Sequence, residues 1–177
     1  MGIIRKPHPV FYFTSLIFND RSSTADIEKE LGEFMGPLED RSVTRPFLHS
    51  DYYGKEMGRG LRRYFLLFAR LASREQLPDV KLRTNEIEAR HAWQGNRTAN
   101  IDPGYIALEQ VVLATTKGFA HRIYLGNGIF GDLTLVFEGG SYRGLPWTYP
   151  DYRSDETIAL CNVWRQRYKE SLRCQKV

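Results

Sequence analysis

The densest chemistry in the sequence lies in "TTKGFAHR", residues 115–122. Thr115 and Thr116 bring hydroxyls, Lys117 a point charge, Arg122 a planar fork of donors, and His121 an imidazole that titrates near neutral pH. Grouped around Gly118, these side chains suit an anion, with Thr116, Lys117 and Arg122 as phosphate ligands and His121 as an acid or base. A plainer role is also open, in which His121 and Arg122 begin a strand and bond neighbouring backbone. The second concentration is "NIDPGY", residues 100–105. Asp102 precedes Pro103–Gly104, the signature of a type II turn. Its carboxylate either bonds the turn backbone or stands at a strand end beside Tyr105, as a catalytic group next to a ligand-binding one. Asp102 and Asp132 could share Mg²⁺, which favours carboxylates and water. No spacing demands that ion, so no cofactor is required, and His8, His49, His91 and His121 show no ligand pattern such as HExxH.

A third stretch, "PWTYPDYR" at 146–153, is too rich in proline for a helix or a regular strand. Trp147, Tyr149 and Tyr152 offer flat faces on which a base can stack, Arg153 a phosphate partner, and Asp151 a further polar group. Asp51, Tyr52 and Tyr53 repeat that acid–aromatic chemistry in "DYYGKEMG", residues 51–58. The alternative is a rigid strap whose rings plug the sheet edge. Size argues that Trp147 is its buried anchor, with Tyr149, Asp151 and Arg153 nearer a cavity.

Several elements must position these groups. "VFYFTSLIF" from Val10 is a run of β-formers suited to a central strand. Ser23 and Asp26 open a helix over 24–35 with Ile27, Leu31 and Phe34 on one face, and Gly36–Pro37 ends it. A weaker extended segment spans 38–48. "LRRYFLLFARL" at 61–71 reads as a strand, although its periodicity also admits a buried helix. Ser73 and Gln76 open a helix reaching Trp93, in which Lys81, Thr84, Asn85 and Glu88 form a solvated face. Extended pieces follow at 97–101, 108–116, 121–126, 129–138 and 141–145, with turns at "GNG" (126–128) and "GG" (139–140). Ser154 caps a final helix with Leu160, Trp164 and Tyr168 along one stripe. The order implies one α+β domain over residues 1–177. Its ferredoxin-like βαββαβ core is extended by a C-terminal β-meander and a last helix.

Composition narrows the classes. With 177 residues, 42% hydrophobic and 26% charged, the chain is long enough to bury a core. No apolar run approaches the roughly 20 residues that span a bilayer. Arg5 and Lys6 precede an apolar run without a small-residue cleavage site, so the expectation is a cytoplasmic protein with no membrane partner. Thirteen residues of helix separate Cys161 from Cys174 by about 20 Å, beyond the roughly 6 Å of a disulfide, so both are read as reduced thiols. The net charge of +4 owes much to a basic C-terminal helix. Complementing that helix's dipole accounts for it as well as phosphate attraction does.

"DYYGKEMG", "NIDPGY", "AHRIYLGNGI" and "PWTYPDYR" together resemble the bacterial domain of unknown function 4416, over about Pro9 to Leu172. The resemblance implies an uncharacterised family in which some members carry a GTP-binding label. The residues do not support that label. "GKEMGRG" at 54–60 lacks the Gly-Lys-Ser/Thr of a P-loop, and no NKxD-like guanine reader is present. "ExExR" at 86–90 falls in a helix, which excludes a triphosphate-tunnel motif built on strands. The expectation is a site gathering Asp102, Tyr105, Lys117, His121 and Arg122, with walls from segments 51–53 and 147–153, that binds a phosphorylated small molecule or RNA. Phosphoryl or phosphodiester chemistry is left open. A non-catalytic interaction module is the alternative, and the oligomeric state is undetermined.

Overall fold

The computed structural model describes residues 2–48 and 53–174. In chain order the strands are β1 (Val10–Phe18), β2 (Leu38–Arg41), β3 (Arg45–Pro46), β4 (Arg62–Ala72) and β5 (Ala99–Ile106). They continue as β6 (Gln110–Thr115), β7 (Arg122–Gly126), β8 (Ile129–Glu138) and β9 (Ser141–Gly144). The helices are α1 (Thr24–Met35), the short α2 (Gly54–Met57), α3 (Leu77–Arg90) and α4 (Asp155–Cys174). The nine strands of the described residues join one sheet ordered β2-β4-β1-β5-β6-β8-β7, with β3 on β4 and β9 on β8. Every pairing is antiparallel. The fold is mixed α and β, as expected, and the ambiguous segment at 61–71 is a strand. No helix among the described residues is long and apolar enough to cross a membrane.

β1 is buried along its whole length because it has neighbours on both edges and cover on both faces. Val10, Tyr12, Leu16 and Phe18 point to the face that α1 and α3 cover with Ile27, Leu31, Leu77, Val80 and Ile87. Side chains alternate along a strand, so Phe11 and Phe13 point the other way, onto Tyr168 and Trp164 of α4. α4 buries the stripe Cys161, Trp164, Tyr168 and Leu172, one position from the expected Leu160. Ser154 Oγ accepts from Thr157 N at 3.3 Å at its start.

Turn chemistry is as the glycines imply. Asn127 (φ 54°) lies between Gly126 and Gly128 at the β7–β8 turn, and Gly139 and Gly140 are both left-handed at the β8–β9 turn. One expectation is overturned. Pro103–Gly104 makes no turn; both lie inside β5, opposite Thr14 and Phe13 of β1. Gly104 serves close packing instead, since a Cβ there would stand 2.6 Å from the Val112 carbonyl oxygen.

Candidate functional site

The site is a split in the sheet. β6 pairs with β5 only from Gly104 to Ile106, so Ala99–Pro103 has a strand on one side alone. Pro103 has no N–H to give a ladder, and pairing stops beside it. Ile101 would be left with an unpaired N–H and C=O, which is costly when buried. α3 supplies both partners: Lys81 Nζ donates to Ile101 O at 2.9 Å, and Ile101 N donates to Glu88 Oε1 at 2.6 Å. Lys81, Thr84 and Glu88 are therefore buried, at 5%, 0% and 5% exposure. This corrects the expectation of a solvated face, whose polar residues in fact close the gap between strands.

Beside the split lies a cavity of about 410 Å³, within the range of small-molecule sites. Its floor comes from the face that α4 covers further along. Ser15 of β1 is the register partner of Asp102, and Ile17 the partner of Asn100, so all four share one face. Phe11 and Phe13 form the apolar, covered half of that face, and Ser15, Asn100 and Asp102 the polar half in the cavity. Thr115, Thr116, Lys117 and Arg122 bound one side, and Tyr149 to Tyr152 of the strap another.

Two ionic groups frame this space. Asp102 Oδ1 accepts from Lys81 Nζ at 3.2 Å and Oδ2 from Asn100 Nδ2 at 2.8 Å. Asn100 Oδ1 takes Arg97 Nη1 at 2.9 Å, and Arg97 also holds Glu88 at 3.0 Å and Glu56 through two nitrogens at 2.8 and 2.7 Å. Those hydrogen bonds keep the Glu56 carboxyl below its ordinary range. Burial pushes the Glu88 carboxyl above it, against the pull of Lys81 and Arg97. The second group centres on Asp132, which accepts from Arg122 Nε at 2.9 Å and meets His121 Nε2 at 3.3 Å. Arg122 further donates to Lys117 O at 3.0 Å and Tyr149 Oη at 3.2 Å.

The expected residues divide. Asp102, Thr116, Lys117, Arg122, Tyr149 and Asp151 line the cavity together. Tyr105 does not, because it is offset by an odd number of residues from Asp102 and packs on the opposite face against Tyr12. His121 is outside the lining too, stacked on Trp147 with ring centroids 5.1 Å apart. Trp147 gives its indole N–H to Leu133 O and stays 39% exposed. The strap is anchored by Tyr152, 4% exposed against Phe65, and by the Arg63–Asp151 ion pair. Arg153 bonds Thr148 O and Pro146 O, bracing the strap's own backbone. Asp51 and Tyr52 lie outside the described residues.

Tyr53, from the expected 51–53 wall, lines the cavity, whereas sequence reasoning missed Ser15, Lys81, Glu88, Arg97 and Asn100 as site residues. A usable signal was present in α3, where Lys81, Thr84 and Glu88 fall among the inward Leu77, Val80 and Ile87. Polar residues at core positions of a helix imply buried partners. Among the described residues, no three His, Cys, Asp or Glu side chains cluster to hold a metal ion. A family model described as a domain of unknown function, DUF4416, matches residues 8–168. No curated protein and no solved structure matches the chain.

Proposed function

The chain belongs to the DUF4416 family, and for it we propose that the cavity at the sheet split binds a small phosphorylated ligand of nucleotide size. The observation that supports this reading is convergence. Thr116, Lys117 and Arg122 bring donors to one side of a cavity of about 410 Å³, beside the half-exposed Tyr149 ring and across from hydrogen-bonding groups on β5. A phosphate against Thr116 and Lys117 and a base near Tyr149 would use these groups together. The end of an RNA segment presents the same chemistry. Phosphoryl transfer through His121 would require the imidazole to leave its stack on Trp147, so binding is the reading favoured here.

The strand order β2-β4-β1-β5, with α1 and α3 on one face, supports a ferredoxin-like core that β6 to β9 extend. The test of function is a thermal-shift screen of nucleotides, sugar phosphates and short RNAs. At a hundredfold excess over Kd a ligand stabilises by roughly 2.7 kcal/mol, a readable shift. Lys117→Ala should remove the shift, and the melting temperature of the unliganded variant, measured alongside, separates loss of binding from loss of stability. Stabilisation by phosphates that survives Lys117→Ala unchanged would place binding elsewhere.

One observation favours a second reading, an interaction module. β7 ends the sheet, and Ile123 and Tyr124 on it are 71% and 60% exposed, near Phe119 at 69%. An apolar edge strand invites pairing with another chain. Concentration-dependent sedimentation that Ile123→Lys abolishes would support it.

A further inference from the structure

Asp102 has more acceptor capacity than the described residues use. An ionised carboxylate offers about four lone-pair sites. Lys81 and Asn100 occupy one on each oxygen, and the group remains 32% exposed, facing the cavity. Its orientation is fixed from behind. Asn100 receives Arg97 on its oxygen, so its amide nitrogen must face Asp102, and Arg97 is clamped by Glu56 and Glu88. Such a preorganised acceptor selects a ligand group carrying O–H or N–H. The same carboxylate repels a phosphate, which leaves the Thr116–Lys117 side for the anion. A ligand spanning the cavity is therefore anionic at one end and a hydrogen donor at the other.

The floor beside Asp102 adds two hydroxyls. Ser15 is its direct register partner. The Tyr152 hydroxyl is buried beside Ser15, with which it shares a hydrogen bond, in a ring that lines the same cavity. A polyhydroxylated ring answers the open acceptor sites of Asp102. Carboxylates recognise the ribose diol of nucleotides in unrelated folds by the same chemistry, accepting two O–H donors.

We infer that Asp102 accepts the 2′- and 3′-hydroxyls of a pentose 5-phosphate unit, so that the ligand is a free ribonucleoside monophosphate or its sugar phosphate. An internal RNA segment, whose 3′-oxygen is esterified, does not present that diol. The inference rests on the phosphate reading above. It is tested by titration calorimetry of the wild-type chain with the four ribonucleoside 5′-monophosphates, ribose 5-phosphate, the matching 2′,3′-dideoxynucleotides and a short RNA with its 3′-end blocked. Wild type should bind a ribonucleotide at least about tenfold more tightly than its dideoxy counterpart, the scale of a hydrogen bond to a charged acceptor. Asp102→Asn should reduce that ratio towards one. Should this variant fail to fold because Lys81 loses its partner, Asp102→Glu keeps the charge, displaces the acceptor by one methylene, and must also lower the ratio.

Failure of every phosphate to bind would remove the phosphate reading and this inference with it. Ribo- and dideoxynucleotides binding wild type equally, or an undiminished ratio in the Asp102 variants, would overturn the inference alone. So would the blocked RNA binding more tightly than every free nucleotide.

Discussion

At the scale of single residues, a side chain's chemistry depends on what lies behind it. Lys117 and Arg122 read alike in the sequence as phosphate ligands, yet Lys117 is exposed while the Arg122 side chain is 8% exposed against an Asp132 at 7%. Removing one partner of a buried pair leaves the other uncompensated, so Arg122→Ala should cost about 3 kcal/mol in urea unfolding. A loss below about 1 kcal/mol, the scale of a surface ion pair, would contradict the burial of this pair. The two thiols separate in the same way. Burial pushes the Cys161 thiol up to about 12, while Cys174 is exposed. A thiol reagent should label Cys174 promptly in the native protein and Cys161 only on unfolding; two fast-reacting thiols would refute the packing of α4. Residue types announced the polar clusters, and Asp102, Lys117 and Tyr149 do meet in one cavity. Partners were not legible, because Lys81 and Asp102 are joined only by the packing of α3 on β5.

At the scale of elements, periodicity placed the strands and helices and misread one dipeptide. Pro103–Gly104 looks like a turn because those residues fit turns almost everywhere. Here the missing N–H stops a ladder and the missing Cβ lets two strands and Phe13 approach. That use depends on β6 lying alongside, which no local window contains. Gly104→Ala should therefore cost about 1–3 kcal/mol by overpacking. Its added methyl would meet the Val112 carbonyl oxygen, Leu113 Cδ2 and Phe13 Cε1, all within 2.9 Å. A neutral effect in chemical denaturation would show that the split can widen freely. The inward polar residues of α3 were hidden for a related reason. A lysine and a glutamate on a helix are ordinarily solvated, and only an interrupted strand beside them makes their burial favourable.

At the scale of the whole molecule, the acidic groups do not respond to pH alike. Glu56, held below its ordinary 4.5 by Arg97, contributes stability that is complete above pH 4.5 and lost as pH falls through its lowered folded value. Glu88, pushed above 4.5 by burial, runs oppositely; the cost of its charge is complete above its raised folded value and gone below 4.5. The destabilisation caused by Glu56→Gln should accordingly shrink as pH is taken from neutral to well below 4.5. Urea midpoints across that range measure it, and a gap independent of pH would rule the linkage out.

The cavity's charges have a kinetic consequence. Among the described residues, Lys81, Arg97, Lys117 and Arg122 share its lining with Glu88, Asp102, Asp132 and Asp151, equal in number and mostly ion-paired. A mouth whose charges cancel at close range draws no anion across a Debye length, roughly 8 Å at physiological salt. Ligand capture is then an unsteered encounter, with an association rate near the neutral limit and nearly flat against ionic strength. Discrimination would come after arrival, in the dwell time set by the fixed groups around Asp102 and Lys117.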